Sequence, residues 1–225
     1  MLISFLNIFL SDTAELIYDS HDKICYLLIY KNGTRSLVNL LEKDNKRYHR
    51  YVGNNPSEFL KLHNVSVVTV FIREPITRFI SGLNTQVRLY GIDPKKLIDY
   101  TNEENSINLF DVHIVPQFWF FLRLRNCCPD IKFKITPFSE ISKIVDVHIN
   151  PSDKTIPLSM DKFNIQVQDK INYHCTEDIV LYYQFMNTTS TVEQIIEKIK
   201  LEKDFINNLK DYSWYPNIYF SNNLS

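Results

Sequence analysis

This sequence predicts an α/β fold in which a central parallel sheet of about four or five strands is flanked by helices. Two observations carry the expectation. Residues 24–30 and 65–72 are continuous apolar runs of strand length, rich in Ile, Tyr and Val, as buried strands are. Each run leads through a short polar loop into residues at helical spacing, 37–51 after the first and 75–90 after the second. A crossover of several dozen residues joins the two runs, which implies parallel strands and a right-handed connection. Ligands of such sheets bind at the carboxyl ends of the strands, and both loops lie there.

The remaining elements follow in order. The apolar N-terminal stretch 1–10 lacks a basic leader and a small-residue cleavage site, and is too short to span a bilayer. It is expected to be a buried element. Asn54-Asn55-Pro56 breaks the chain, and 57–63 suits a short helix. Pro75 stands at the first turn of the 75–90 helix, where its missing N–H costs nothing, and Gly91-Ile92-Asp93-Pro94 ends that helix. Residues 94–100 read as a helix and 101–106 as a polar loop. The aromatic run Phe118, Trp119, Phe120, Phe121 reads as core, with base or sugar stacking as the rival use. A short strand is expected at 131–135, a helix at 139–145, a polar flap at 150–161 and helices at 176–186 and 192–209. One domain is expected over 1–225, with 187–225 a C-terminal helical extension.

Composition limits the function classes. The 225 residues are 44% hydrophobic and 13% aromatic, enough for a substantial core. With 25 basic and 26 acidic residues the formal charge is −1, so no global basic field calls for nucleic acid. Any anion site must be local. The four cysteines, Cys25, Cys127, Cys128 and Cys175, have no metal-ligand spacing and read as free thiols in a reducing compartment, with one structural disulfide as the rival reading. No metal is expected.

Two segments carry the chemistry. In the first, Lys31, Asn32, Gly33, Thr34, Arg35 and Ser36 follow the 24–30 run. Gly33 lets backbone approach an anion closely, Thr34 and Ser36 bring hydroxyls, and the N–H groups of a new helix point outward. Lys31 adds a point charge able to follow charge on a leaving group. A capped strand–turn–helix connection is the plainer alternative. The loop is not a Walker A loop, because G-x-x-x-x-G-K-[ST] is absent. In the second segment Arg73 stands at the strand end and Ser81 eight residues later, so both can converge on one oxyanion. The alternative there is an Arg73–Glu74 ion pair with a surface serine. Arg78 reads as a packing arginine.

Together these segments resemble the nucleotide-binding elements of the sulfotransferases that use 3′-phosphoadenosine 5′-phosphosulfate (PAPS). Lys31, Gly33, Thr34 and Ser36 match the family's K-x-G-[ST]-x-S loop for the 5′-phosphosulfate. Arg73, Pro75, Arg78 and Ser81 match its R-x-P-x-x-R-x-x-S element for the 3′-phosphate. The runs 17–23 and Asp111-Val112-His113-Ile114-Val115-Pro116-Gln117, the latter similar to D-x-H-x-x-P-Q, resemble the carbohydrate (Golgi-type) branch, as does the 173–185 stretch with Asp178. Tyr30 departs from the family's usual proline, and Arg35 from a small residue. The resemblance implies a P-loop-like three-layer fold, PAPS as sulfuryl donor and a carbohydrate or other hydroxyl-bearing acceptor. No membrane anchor is read at the start of the chain, so a cytoplasmic bacterial or viral form is expected.

His113 is the candidate general base for the acceptor hydroxyl, a role worth about 10²–10⁴-fold, with Asp111 as a candidate orienter. Its alternative is a histidine that fixes its own loop. His63, His148 and His174 read as surface residues. Two further functions stay open: a P-loop-like phosphotransferase, and a non-catalytic nucleotide-binding protein.

Overall fold

A hairpin that the sequence did not announce builds one side of the sheet. Strand β1 (Ala14–Asp19) turns at 20–23 into β2 (Ile24–Leu27), pairing antiparallel with Leu16 opposite Leu27 and Asp19 opposite Ile24. The turn closes on Asp19. Its carboxylate accepts the His21 and Asp22 N–H groups at 2.9 and 3.1 Å, and the Arg47 guanidinium doubly at 2.9 and 2.6 Å. Burial pushes the Asp19 carboxyl up, but Arg47 and the two N–H groups outweigh it and hold it below its ordinary value.

The computed structural model describes residues 14–104, 113–144, 158–187 and 194. They fall into two compact units, Met1–Arg73 with Gln117–Ile149, and Glu74–Pro116 with Asn150–Ser225. The expected 187–225 extension and the 192–209 helix lie almost wholly outside the described residues, as do the N-terminal stretch, Asp111, His148 and most of the 150–161 flap.

The first unit holds a five-stranded sheet in the order β3-β1-β2-β4-β5. Strand β3 (Tyr48–Gly53) pairs antiparallel with β1, whereas β4 (Val67–Ile72) and β5 (Lys132–Pro137) extend β2 in parallel. The sheet is therefore mixed: the parallel arrangement expected throughout holds for β2, β4 and β5 alone. The helical reading of 37–51 also fails in its second half. Helix α1 (Thr34–Lys43) stops at Asp44, whose carboxylate accepts the Lys46 and Arg47 N–H groups at 3.1 Å each and turns the chain back as an edge strand. Leu37 and Leu40 of α1 bury against Ile17, Tyr26, Leu28, Phe71 and Ile141; a side chain as enclosed as Leu37 stabilises by roughly 2 kcal/mol. Helices α2 (Pro56–Leu62) and, later in the chain, Gln117–Cys127 complete the unit, the latter with Phe118, Phe120, Phe121 and Leu124 buried. The aromatic run is core, apart from half-buried Trp119. The helix expected at 139–145 is a 3-10 helix, Phe138–Lys143.

The second unit is helical. Helix α3 (Pro75–Tyr90) opens on the Glu74 carboxylate, which accepts the Ile76 and Thr77 N–H groups at 3.1 and 2.7 Å, and closes on left-handed Gly91. Helix α4 (Pro94–Glu103) follows and absorbs part of the expected 101–106 loop. In chain order α5 is Gln117–Cys127 of the first unit. Helices α6 (Ile165–His174) and α7 (Thr176–Asn187) follow. Their core is Phe79, Leu83, Val87, Ile114, Leu158, Phe163, Val167, Ile171 and Cys175. None of the four cysteines forms a disulfide. No described helix is long and apolar enough to cross a membrane.

Candidate functional site

The loop from β2 to α1 is shaped by two left-handed residues. Lys31 has φ +69° and Gly33 φ +82°, with Asn32 between them outside that region. The left-handed φ at Lys31 closes a tight turn in which the Asn32 N–H is used on the Ile29 carbonyl, so an anion at this loop would meet the N–H groups that follow it. Gly33 is also the N-cap of α1, and no side chain caps the helix there, so the opening N–H groups of the helix face outward. A Cβ on Gly33 would stand 2.2 Å from Ile141 Cδ1 and 3.1 Å from Phe138 Cε2. Below the loop, the Ile29 carbonyl accepts both the Asn32 N–H at 3.0 Å and the Thr34 hydroxyl at 2.7 Å. That hydroxyl hydrogen is used inside the loop, which leaves Thr34 its backbone N–H and the lone pairs of its oxygen.

Asn32 is 2% exposed and holds the loop to the sheet. Its Nδ2 donates to the Phe71 carbonyl at 2.8 Å and to Gln117 Oε1 at 2.5 Å. Gln117 is fully buried at the start of α5. It binds the backbone of Arg73 on both sides: Oε1 accepts the Arg73 N–H at 2.9 Å and Nε2 donates to the Arg73 carbonyl at 2.9 Å. Arg73 is the first residue past β4, so the side-chain amide continues the hydrogen bonding of the strand by one residue. The Arg73 guanidinium lies 5.4 Å from the Phe138 ring centre, and its Nη1 is 3.4 Å from the Lys31 carbonyl. Lys31 and Thr34 are half-buried, Ser36 is buried and Arg35 is exposed. The first unit thus brings Lys31, Asn32, Gly33, Thr34 and Arg73 together.

The second unit carries Ser81 and His113. Ser81 sits on α3, where its carbonyl accepts the Thr85 hydroxyl at 3.1 Å. Its neighbour Gly82 packs directly on the His113 loop: a Cβ there would stand 2.5 Å from the His113 carbonyl oxygen. The next carbonyl, Ile114, is bound by His174 Nε2 at 3.0 Å. His174, expected at the surface, is buried. Burial, reinforced by the charge of Arg78 and opposed by the bond to Ile114, pulls its imidazole down to about 4. At neutral pH the ring is uncharged, and its Nε2–H donates to Ile114. Arg78 is 1% exposed, as a packing arginine is.

The sequence marks Asn32 as a loop residue without its bonds, and gives Gln117 no role. The signal available for Gln117 was its place at the end of the Asp111–Gln117 stretch. Among the described residues no group of His, Cys, Asp and Glu could hold a metal ion. No family model, curated protein or solved structure matches the chain.

Proposed function

We propose that the chain is a sulfotransferase that moves a sulfuryl group from PAPS to an acceptor hydroxyl, on a carbohydrate, in the cytoplasm. One observation carries the reading: a single buried amide, Gln117, binds both the loop of Lys31 and the backbone of Arg73. These are the two segments that the family resemblance pairs on one nucleotide. The finer fold reading, a P-loop-like three-layer arrangement, belongs to the same proposal. It is supported by parallel β2, β4 and β5, and by the strand–loop–helix order after β2.

The residues present suit a donor with phosphate at two ends. The 31–36 loop, through the first N–H groups of α1, would hold the 5′-phosphosulfate. Arg73 would bind the 3′-phosphate with a planar fork suited to it, and the resemblance adds Ser81. Lys31 would stabilise negative charge on the oxygen that leaves sulfur. His113 would take the proton of the acceptor hydroxyl. Positioning and charge stabilisation would supply most of the rate, as in phosphoryl transfer.

A thermal-shift comparison of 3′-phosphoadenosine 5′-phosphate with ADP and AMP tests the donor. The 3′-phosphorylated nucleotide is expected to raise the melting temperature most, and Arg73→Ala to remove that preference. Equal shifts for all three nucleotides would sink the proposal. Transfer of labelled sulfate from PAPS to mixed glycans tests the chemistry. Transfer is expected to vanish in Lys31→Ala and to fall about a hundredfold in His113→Ala; undiminished transfer in the latter removes His113 from the mechanism.

A further inference from the structure

We propose that Gln117 is a positioning residue that couples the 31–36 loop to Arg73, so that the two anion subsites act as one. The identity of the anions rests on the nucleotide reading above; the coupling does not.

The hydrogen-bond inventory of the amides carries the argument. Gln117 Oε1 has two lone pairs and both are used, one by Asn32 Nδ2 and one by the Arg73 N–H. Its Nε2 returns a bond to the Arg73 carbonyl. Asn32 Nδ2 likewise uses both hydrogens, on Gln117 and on the Phe71 carbonyl. The Phe71 carbonyl fixes the direction of the whole relay. Turning the Asn32 amide over would set its oxygen against two acceptors, Phe71 O and Gln117 Oε1. Asn32 must therefore donate and Gln117 Oε1 must accept, which points Gln117 Nε2 at the Arg73 carbonyl. Asn32 Oδ1 is buried and finds no partner among the described residues, so these two donated bonds alone fix its side chain. A displacement of the loop at Asn32 is thus passed through one rigid, fully buried amide to the backbone of Arg73. The contacts of Arg73 with the Lys31 carbonyl and the Phe138 ring extend the same coupling to its guanidinium. No other proteinogenic side chain reproduces the node. Glutamate lacks the donor to Arg73 O, and methionine fills the space without any of the three bonds.

Asn32→Ala is the sharpest probe, because Asn32 belongs to the loop assigned to the 5′ end and its side chain reaches the Arg73 backbone through Gln117. Affinities for 3′-phosphoadenosine 5′-phosphate and for AMP are measured by calorimetry on the full chain. A local loop defect would weaken both ligands by one factor and leave their ratio intact. Coupling lowers the ratio at least fivefold, since the 3′-phosphate preference carried by Arg73 is lost along with loop order. Gln117→Met is expected to do the same, and Gln117→Glu to repeat the loss should the methionine variant not fold. Amide hydrogen exchange of the unliganded protein gives a ligand-independent arm: the Arg73 N–H is expected to exchange at least tenfold faster in Asn32→Ala. An unchanged affinity ratio together with unchanged Arg73 exchange in folded Asn32→Ala overturns the coupling. Wild-type protein without preference for the 3′-phosphorylated nucleotide instead overturns the nucleotide reading, and the exchange arm alone then decides the coupling.

Discussion

The loop that carries Lys31 and the loop that carries His113 are held by opposite means. The first is held by neutral amides: Asn32 and Gln117 tie it to Phe71 and Arg73, and the Thr34 hydroxyl closes it from below. The second is held by close packing at Gly82 and by one imidazole, His174, on the Ile114 carbonyl. Amides do not titrate, so the first loop keeps its anchors across the physiological pH range. It is sensitive instead to any change of donor and acceptor count, since each buried group left unpaired costs about 1–3 kcal/mol. The second loop depends on a group that can gain a proton, and on a gap too small for a methyl. Acid should therefore reach the His113 loop long before it reaches the Lys31 loop.

The largest expected effect follows from His174. Its imidazole titrates near the ordinary 6.5 in the unfolded chain and at about 4 in the folded one, chiefly because burial disfavours the charged ring. Between those values the unfolded state holds the proton and the folded state does not. Stability from this group is complete above about pH 6.5 and is lost as pH falls toward 4. The total is roughly 3 kcal/mol. Denaturant titrations at pH 7, 5.5 and 4 on wild type and on His174→Gln test this. The substitution keeps an amide donor for Ile114 but cannot titrate. The wild type is expected to lose roughly 3 kcal/mol relative to the variant across that range. Parallel pH profiles would show that His174 does not hold the loop as a neutral, buried ring.

The same contrast explains how much was legible in the sequence. Features set by neighbours along the chain were readable. Helix α3 could be bounded by Pro75 and Gly91, β4 by its run of Val and Ile, and the Lys31 loop by Gly33 and the helix behind it. Features set by distant partners were not. Strand β3 has the charge spacing of a helix surface, and becomes a strand because β1 offers it an edge and Asp44 turns it there. Strand β1 is six residues long and is not marked in the sequence, so the sequence predicts a parallel sheet. Helix α6 hides behind polar residues, although its Asn164 cap, which accepts the Val167 N–H at 3.0 Å, could have revealed it. Gln117 meets Arg73 and Asn32 at separations of 44 and 85 residues, and no local pattern announces such a node. His174 looked polar and exposed beside Tyr173, but its partner Ile114 lies 60 residues away.

The two glycines sharpen the comparison at smaller scale. Gly82 lies inside α3, where helix propensity alone would favour alanine by about 1 kcal/mol. The space does not allow it: the new Cβ would stand 2.5 Å from the His113 carbonyl oxygen and 2.9 Å from its carbon, both backbone atoms that cannot swing aside. Gly82→Ala is expected to cost about 2 kcal/mol net through overpacking. Because it displaces the His113 carbonyl, next along the chain to the Ile114 carbonyl that His174 binds, its cost should be non-additive with that of His174→Gln. Gly33→Ala meets the ends of two side chains, Ile141 and Phe138, which can move. Its penalty, about 1–2 kcal/mol, comes from the left-handed φ of +82°. Trimming Ile141 to Val should therefore leave most of that penalty in place. Equilibrium unfolding of the two single variants, with the Gly82→Ala/His174→Gln and Gly33→Ala/Ile141→Val pairs, measures both. If Gly82→Ala proved stabilising and additive with His174→Gln, the His113 loop would not be resting on α3 at Gly82. If Ile141→Val rescued Gly33→Ala fully, crowding rather than backbone conformation would be what demands glycine in the Lys31 loop.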